Sequence, residues 1–196
     1  MATINDGKTG RSVEVNTNNR LMVSAADVEL IDSQTARGMS YTFGSGPINL
    51  TSASESAVLY IKNTDPVNVL VLDRFIITIG KSTGAVDGLS LKIFKNPTSG
   101  TLLSSGTPTT GGNRNYGSLI SSQSDSKSGA EGLTLLPTAS NFSTLFFPQE
   151  SFTNLPAGFI LPVGTSIGFS WTPSSGNTSV DVTTTVISYY IDPNNI

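Results

Sequence analysis

The sequence predicts an all-β protein, a two-sheet antiparallel jelly-roll sandwich preceded by an extended N-terminal arm. Three observations favour this class. Short apolar runs bounded by Gly, Pro, Asn or Asp recur from Met39 onward, which is typical of strands joined by turns. No window beyond Met39 has the 3.6-residue apolar period of a helix, so helical crossovers between strands are not expected. Charged residues make up only 13% of the chain, and Ser, Thr, Asn and Gly, which suit turns and uncharged outward faces, are abundant.

Residues 1–38 form the predicted arm. Its apolar residues come in pairs, Val13 with Val15 and Leu21 with Val23, and these pairs lie among Asn, Thr and Asp. A segment with so little apolar surface does not build a core of its own. We therefore expect the arm to pack against another surface, with a disordered tail as the alternative.

The end of the arm carries the signals of a short helix, although extended chain is also compatible with it. Ser24 or Asp27 is the candidate N-cap, and Gly38 is the candidate stop. Residues 39–196 then form the predicted sandwich domain.

The predicted strands of this domain are short and closely spaced. In order, they cover residues 39–43, 48–50, 57–63, 67–79, 89–96, 101–103, 115–120, 144–147, 158–162, 166–171 and 180–191. The two clearest alternating runs each place their apolar residues on one face: Leu89, Leu91 and Ile93 in the first, and Val180, Val182, Val186 and Tyr190 in the second.

Eight to ten such strands fit a jelly roll, whose connections place sequence neighbours in different sheets. An immunoglobulin-like sandwich is the alternative. It is disfavoured because its central Trp belongs to an early or middle strand, whereas Trp171 lies late in the chain. Residues 104–132, dominated by Ser, Gly and Thr, predict an exposed loop with a short strand around 116–120. A plain flexible insertion is the alternative there.

The longest predicted strand, residues 67–79, has apolar residues on both of its faces. In a regular strand, Leu70, Leu72 and Ile76 would lie on one face, and the valines and Phe75 would lie on the other. An exposed apolar face of this size is unfavourable for a monomer. We therefore expect Leu70, Leu72 and Ile76 to form an oligomer interface around a symmetry axis. A bend that lets the strand serve two sheets is the monomeric alternative.

The residue types present exclude several chemistries. The chain contains no Cys and no His, so thiolate sites and the commonest general base and metal ligand are missing. No Lys/Arg cluster indicates a nucleic-acid partner, and no apolar run reaches the ~20 residues of a membrane helix. The two GKT/GKS triplets, at residues 7–9 and 80–82, lack the upstream Gly of a phosphate-binding loop. No cofactor and no metal are expected.

Two kinds of site are compatible with single residues. A pair of carboxylates for glycoside cleavage would come from a set of six: Asp73, Asp87, Asp125, Glu131, Glu150 and Asp181. An aromatic sugar-stacking platform would use Trp171 and Phe169 with Tyr189 and Tyr190. The alternation of Ile167, Phe169 and Trp171 favours a core position for Trp171 instead.

Residues 48–80 and 155–190, with the segment NNRLMVSA at 18–25, resemble a group of jelly-roll structural proteins of tailed bacteriophages. The resemblance implies a non-enzymatic virion component on the outer surface of the capsid. It would be a capsid decoration (cement) protein that binds the major capsid protein as a homotrimer, without nucleic acid or membrane. Val13, Val15, Leu21 and Val23 of the arm would then contact the capsid. A tail-fibre or spike head domain that recognises a host surface glycan is the alternative.

Overall fold

A computed structural model describes residues 2–5, 12–15, 30–83, 88–137, 143–174 and 179–195. These residues are mostly in strands, and the strands form two packed antiparallel sheets with few and short helices. The predicted all-β sandwich is therefore confirmed. No helix of the described residues is long and apolar enough to cross a membrane.

The elements follow one another along the chain with short connections. They are β1 (Ala2–Asn5), β2 (Ser12–Val15), α1 (Leu30–Ala36), β3 (Ser40–Gly44), β4 (Ile48–Leu50), β5 (Ser56–Asn63), β6 (Val69–Ile79), β7 (Leu89–Lys95), β8 (Pro97–Ser99), α2 (Thr101–Ser105), β9 (Thr107–Thr109), β10 (Gly112–Asn113), β11 (Ser124–Ser128), β12 (Leu136–Pro137), β13 (Ser143–Phe147), β14 (Ser151–Leu161), β15 (Ser166–Pro173) and β16 (Val180–Ile191), with a 3-10 turn at Pro193–Asn195.

Each of the two large sheets contains six strands. The first sheet has the order β10-β3-β16-β6-β14, and β4 also pairs with β16; the second sheet has the order β13-β7-β15-β5-β11-β9. The small pairs β1-β2 and β8-β12 lie outside them. Because β5, β6 and β7 alternate between the sheets, as do β14, β15 and β16, sequence neighbours face each other across the core.

The core between the sheets is formed by the alternating residues that the sequence indicates. Leu89, Leu91 and Ile93 of β7 are buried there, as are Val180, Val182, Val186 and Tyr190 of β16, so both predicted faces are confirmed. A second apolar cluster lies on the outer face of the second sheet, where Leu102 of α2 and Leu135 cover Ala57, Tyr60 and Phe94. That outer face is thus partly covered by the chain itself.

A β-bulge at Asp73 explains the two apolar faces of β6. The pairing with β16 runs from Leu72 opposite Ser188 directly to Arg74 opposite Ile187, so Asp73 is an extra residue. An extra residue shifts the alternation by one. Leu70 and Leu72 before the bulge and Phe75 after it consequently point to the same core.

The predicted oligomer interface is therefore wrong for two of its three residues. Leu70 and Leu72 are both 0% exposed within the single chain, so no second chain can reach them. Ile76 is different. It lies on the outer face of the first sheet and is half-buried.

The last part of the predicted arm packs on the chain's own sheet. Ile31 of α1 is buried against Val69, Tyr189 and Ile191 on the outer face of the first sheet. This differs from the expectation that all of residues 1–38 need a foreign surface, because a single apolar turn of helix is enough to dock on this face. Of the predicted arm contacts, Val13 and Val15 lie in β2, opposite Ile4 and Ala2 of β1. Leu21 and Val23 lie outside the described residues.

Gly38 ends α1 as predicted. The N–H of Gly38 donates to the carbonyl of Thr35 at 3.0 Å, and the N–H of Met39 donates to that of Gln34 at 2.8 Å. This is the hydrogen-bond pattern of a Schellman motif, whose C′ residue is left-handed. Gly38 has a φ of 73°, and an added Cβ would lie 2.2 Å from Ser118 Oγ. The candidate caps Ser24 and Asp27 lie outside the described residues.

The polar segment 104–132 is part of the sandwich. It contains β9 and β11, which extend the second sheet beyond β5, and β10, which pairs with β3 of the first sheet. The predicted strand at 116–120 is wrong, because these residues form a turn followed by irregular chain. The segment thereby links the edges of both sheets at one side of the sandwich.

Candidate functional site

A turn at Tyr116 presents apolar side chains to solvent. Tyr116 and Leu119 are essentially fully exposed, and Ile120 is about half exposed. Apolar side chains exposed together on one loop are a common feature of protein docking sites. We call these residues, together with Arg37 and Arg114, the loop patch.

Short polar side chains fix the backbone of this turn. The Asn113 side-chain oxygen accepts from the N–H of Asn115 at 2.9 Å, and that of Asn115 accepts from the N–H of Gly117 at 3.0 Å. Ser118 Oγ then accepts from the N–H of Ile120 at 3.2 Å. Asn and Ser stabilise turns by bonding to the backbone two residues further on, so each of these residues holds the next step of the turn.

The turn is also fastened to the body of the domain. Asn115 Nδ2 donates to the carbonyl of Ala36 at 3.0 Å, and Asn113 Nδ2 donates to that of Gly38 at 2.8 Å. The buried Tyr41 hydroxyl donates to the same Gly38 carbonyl at 3.1 Å. These bonds place the backbone at the end of α1, on both sides of Arg37, beside the turn.

Two buried tyrosines support this end of the sandwich. The rings of Tyr41 and Tyr190 meet edge to face at 5.6 Å, and the Tyr190 hydroxyl donates to the carbonyl of Gln123 at 2.6 Å. Burial raises the pKa of both hydroxyls, and the negative charge of Asp65 raises them further. Both tyrosines are therefore neutral hydrogen-bond donors at physiological pH, and their role is structural.

The loop patch is basic. Arg37 is exposed and Arg114 is half-buried, and within the described ranges neither has a carboxylate within 4.0 Å. The chain as a whole has a net charge of −3, so this positive charge is local. Tyr and Arg are also the residues most enriched among those that dominate binding energy at interfaces.

Four of the six candidate carboxylates have separate local partners. Asp73 accepts from Arg74 Nε at 2.6 Å, Glu131 binds Thr51, Asp181 binds Asn49, and Glu150 lies 4.0 Å from Lys81. Asp125 is exposed on β11, and Asp87 lies outside the described residues. Among the described residues no group of three His, Cys, Asp or Glu side chains has the arrangement of a metal site.

Trp171 lies in the core, as its alternation predicts. It is fully buried, packs against Phe147 with the ring centroids 5.5 Å apart, and donates through Nε1 to Thr184 Oγ1 at 2.9 Å. Tyr190 is also buried. These two rings are therefore unavailable for stacking on a sugar.

A cleft of about 440 Å³ opens between the sheets where β7 and β14 end. Phe94, Phe159 and Leu161 are among its lining residues, and Lys95 is the one ionisable residue of the lining. A lone lysine without a carboxylate or other partner group in the cleft does not form an acid–base pair. The cleft is therefore an apolar groove, and the loop patch is the better candidate for a functional site.

The sequence matches no protein-family model, and no curated protein matches it significantly.

The sequence alone does not indicate the loop patch, because the apolar residues of NYGSLI (115–120) predict a short strand there. The signal that indicates the turn is the spacing of Asn113, Asn115 and Ser118, each two or three residues from the next. Such spacing is typical of consecutive side-chain-to-backbone turns.

Proposed function

We propose that this protein is a non-enzymatic structural component of a tailed-phage virion, a capsid decoration protein that binds and stabilises the head shell as a homotrimer. The observation that carries the proposal is the loop patch, an exposed apolar and basic surface on a sandwich in which four of the candidate carboxylates have separate local partners. Decoration requires a stable scaffold and a docking surface, and it requires no acid–base chemistry.

We also propose that the sandwich is a jelly roll. Eight of its strands pair in nested order: β3 with β16, β5 with β15, β6 with β14, and β7 with β13. A long hairpin rolled into two sheets has this nesting, and viral capsid domains commonly use the jelly roll. The strand order therefore supports the virion proposal at the level of the fold.

The fixed shape of the loop patch favours docking. Ordering a flexible loop on binding costs free energy, and a loop that is already held by hydrogen bonds avoids most of that cost. Tyr116 and Leu119 would enter an apolar pocket on the shell, while Arg37 and Arg114 would face acidic residues at its rim. The three loop patches of one trimer would contact the shell at the same time, so each single contact can be weak. Residues before Leu30 would supply a second contact.

Sedimentation with phage heads that lack the protein tests this proposal. The double variant Tyr116→Ala/Leu119→Ala is expected to lose at least about 30-fold in affinity for heads, because an interface hot spot contributes about 2 kcal/mol or more. Deletion of residues 1–29 is expected to weaken binding as well, with the fold intact by circular dichroism.

Phe146→Ala is the matched control. Phe146 is 82% exposed, like the loop-patch residues, but it lies on β13 at the far edge of the second sheet. This variant is expected to bind heads as the unmodified protein does. Unchanged binding by the double variant would refute docking through the loop patch.

A glycan-binding fibre or spike head is the second candidate, and the exposed ring of Tyr116 favours it. Sugar sites stack a ring and surround it with polar groups, whereas Leu119 and Ile120 next to Tyr116 are aliphatic. This composition supports a protein partner. Binding of the protein to a bacterial glycan array, lost in Tyr116→Ala, together with no binding to heads, would favour the glycan function.

A further inference from the structure

The outer face of the first sheet carries a second apolar surface. Alternation on the three neighbouring strands β16, β6 and β14 places aliphatic and aromatic side chains there. Phe152 is 70% exposed and Ile160 is 45% exposed. We call this surface the sheet patch, and it consists of Val71, Ile76, Phe152, Ile160 and Ile187.

Half of this face is already covered by the chain. α1 buries Val69, Tyr189 and Ile191, and Val71 and Ile187 at the boundary are only partly buried by the same cluster. The sheet patch continues that cluster across β6 to β14, where no described element covers it. The same face also carries Thr78, Thr183, Thr185 and Asn154. The apolar surface is therefore limited to the sheet patch, and exposed apolar side chains grouped in this way indicate a covering partner.

The charges on the sheet patch are self-complementary. Within the described part of β6 and β14, Asp73 and Arg74 at the bulge are the charged residues, and they form one pair with Nε and Oδ2 2.6 Å apart. Adjacent opposite charges can be used head to tail around a three-fold axis, where the Arg74 of each copy faces the Asp73 of the next. A different protein is not expected to carry adjacent acidic and basic residues at the matching position.

The edge strands of the two sheets are poorly suited to association between copies of the chain. β14 ends the first sheet, and its pairing is interrupted between Pro156 and Phe159. Pro156 has no N–H, and bulges and prolines at an edge disfavour pairing with another chain. β13, β9 and β10 at the other edges have at most five residues each. Copies are therefore expected to meet through the face of the sheet.

We infer that the sheet patch is the surface through which copies of this chain associate, with Asp73 and Arg74 forming ion pairs between copies. This deepens the homotrimer part of the proposed function and does not depend on shell binding. Three strands about 4.8 Å apart and eleven residues long span roughly 500 Å², and α1 covers part of that area. Stable interfaces bury about 800 Å² per chain, so the association is expected to be reversible at micromolar concentrations.

Size-exclusion chromatography with light scattering, from 1 to about 100 μM protein, tests the inference at ~0.1 M salt. The mass is expected to rise from 20.5 kDa toward about 62 kDa, the mass of three chains. Phe152→Glu places a charge at the most exposed side chain of the sheet patch and is expected to stay at 20.5 kDa at every concentration. Phe146→Glu, the same change at an exposed Phe of the other sheet, is expected to associate normally. Both side chains are exposed, so neither variant should lose the fold.

The outcomes distinguish association of copies through the sheet patch from binding of the protein to the phage head. A protein that stays at 20.5 kDa throughout, or a Phe152→Glu variant that associates normally, overturns the inference, and head binding can still be measured independently. Loss of association in Phe146→Glu would also overturn it, because the contact would then involve β13. Association that stops at two chains and is abolished by Phe152→Glu would uphold the sheet patch and contradict the trimer.

Discussion

Deletion of Ile76 is expected to unfold the protein, whereas deletion of Asp73, three residues earlier in β6, is expected to leave it folded. The core positions of β6 are Leu70 and Leu72 before the bulge and Phe75, Ile77 and Ile79 after it. Because side chains alternate with a period of two, removing the extra residue Asp73 gives a regular strand with all five side chains still in the core.

After deletion of Ile76, no register of β6 keeps all five of these side chains in the core. If the residues after it shift, Ile77 and Ile79 move to the outer face and Thr78 enters the core. If the bulge is lost instead, Phe75 moves out and Arg74 enters the core. Each lost Ile or Phe costs about 2–5 kcal/mol, and an unpaired buried charge costs more. The total, about 5 kcal/mol or more, is comparable to the stability of a whole domain.

Urea unfolding followed by tryptophan fluorescence measures both variants, since Trp171 lies in the core. The Asp73 deletion is expected to lose about 1–3 kcal/mol, as the Asp73–Arg74 pair is lost and β14 must adjust. Ile76→Ala is the matched control for the Ile76 side chain and should lose about 1 kcal/mol. Equal loss from both deletions would contradict a bulge at Asp73.

Trp171→Ala is expected to destabilise the protein by about 3–5 kcal/mol. The substitution leaves a large cavity between the sheets and removes both the contact with Phe147 and the donor to Thr184 Oγ1. The unpaired Thr184 hydroxyl is itself buried, which adds to the cost.

Tyr116→Ala provides the comparison for an aromatic residue outside the core. Its side chain is fully exposed, so the free energy of unfolding should change by no more than about 0.5 kcal/mol. Chemical denaturation followed by far-UV circular dichroism measures both variants without the tryptophan signal. A stable Trp171→Ala protein would show that Trp171 is not part of the core.

The strands with strict alternation could be predicted from the sequence. In β7 and β16 most residues of one parity are apolar, so the buried face follows from the alternation of side chains along a strand. In β6 the sequence shows apolar residues on both parities, and this pattern has two physical solutions: an exposed face or an inserted residue. The choice depends on the pairing with β16 and β14, which are distant in the sequence.

The elements of residues 104–132 could not be predicted for a related reason. β9, β10 and β11 consist of Thr, Pro, Gly, Asn, Ser, Asp and Lys. They are strands because they pair with the edges at β5 and β3 and not because of apolar alternation. The loop patch depends on contacts between this segment and the end of α1, some 75 residues away in the chain.

The number of copies of this protein on purified particles tests the decoration proposal most directly. Quantitative mass spectrometry of intact virions, with the main shell subunit as internal reference, measures that number. We predict hundreds of copies per particle, in a fixed ratio to the shell subunit. A dozen copies or fewer would indicate a tail or vertex position, and absence from purified virions would contradict the virion assignment altogether.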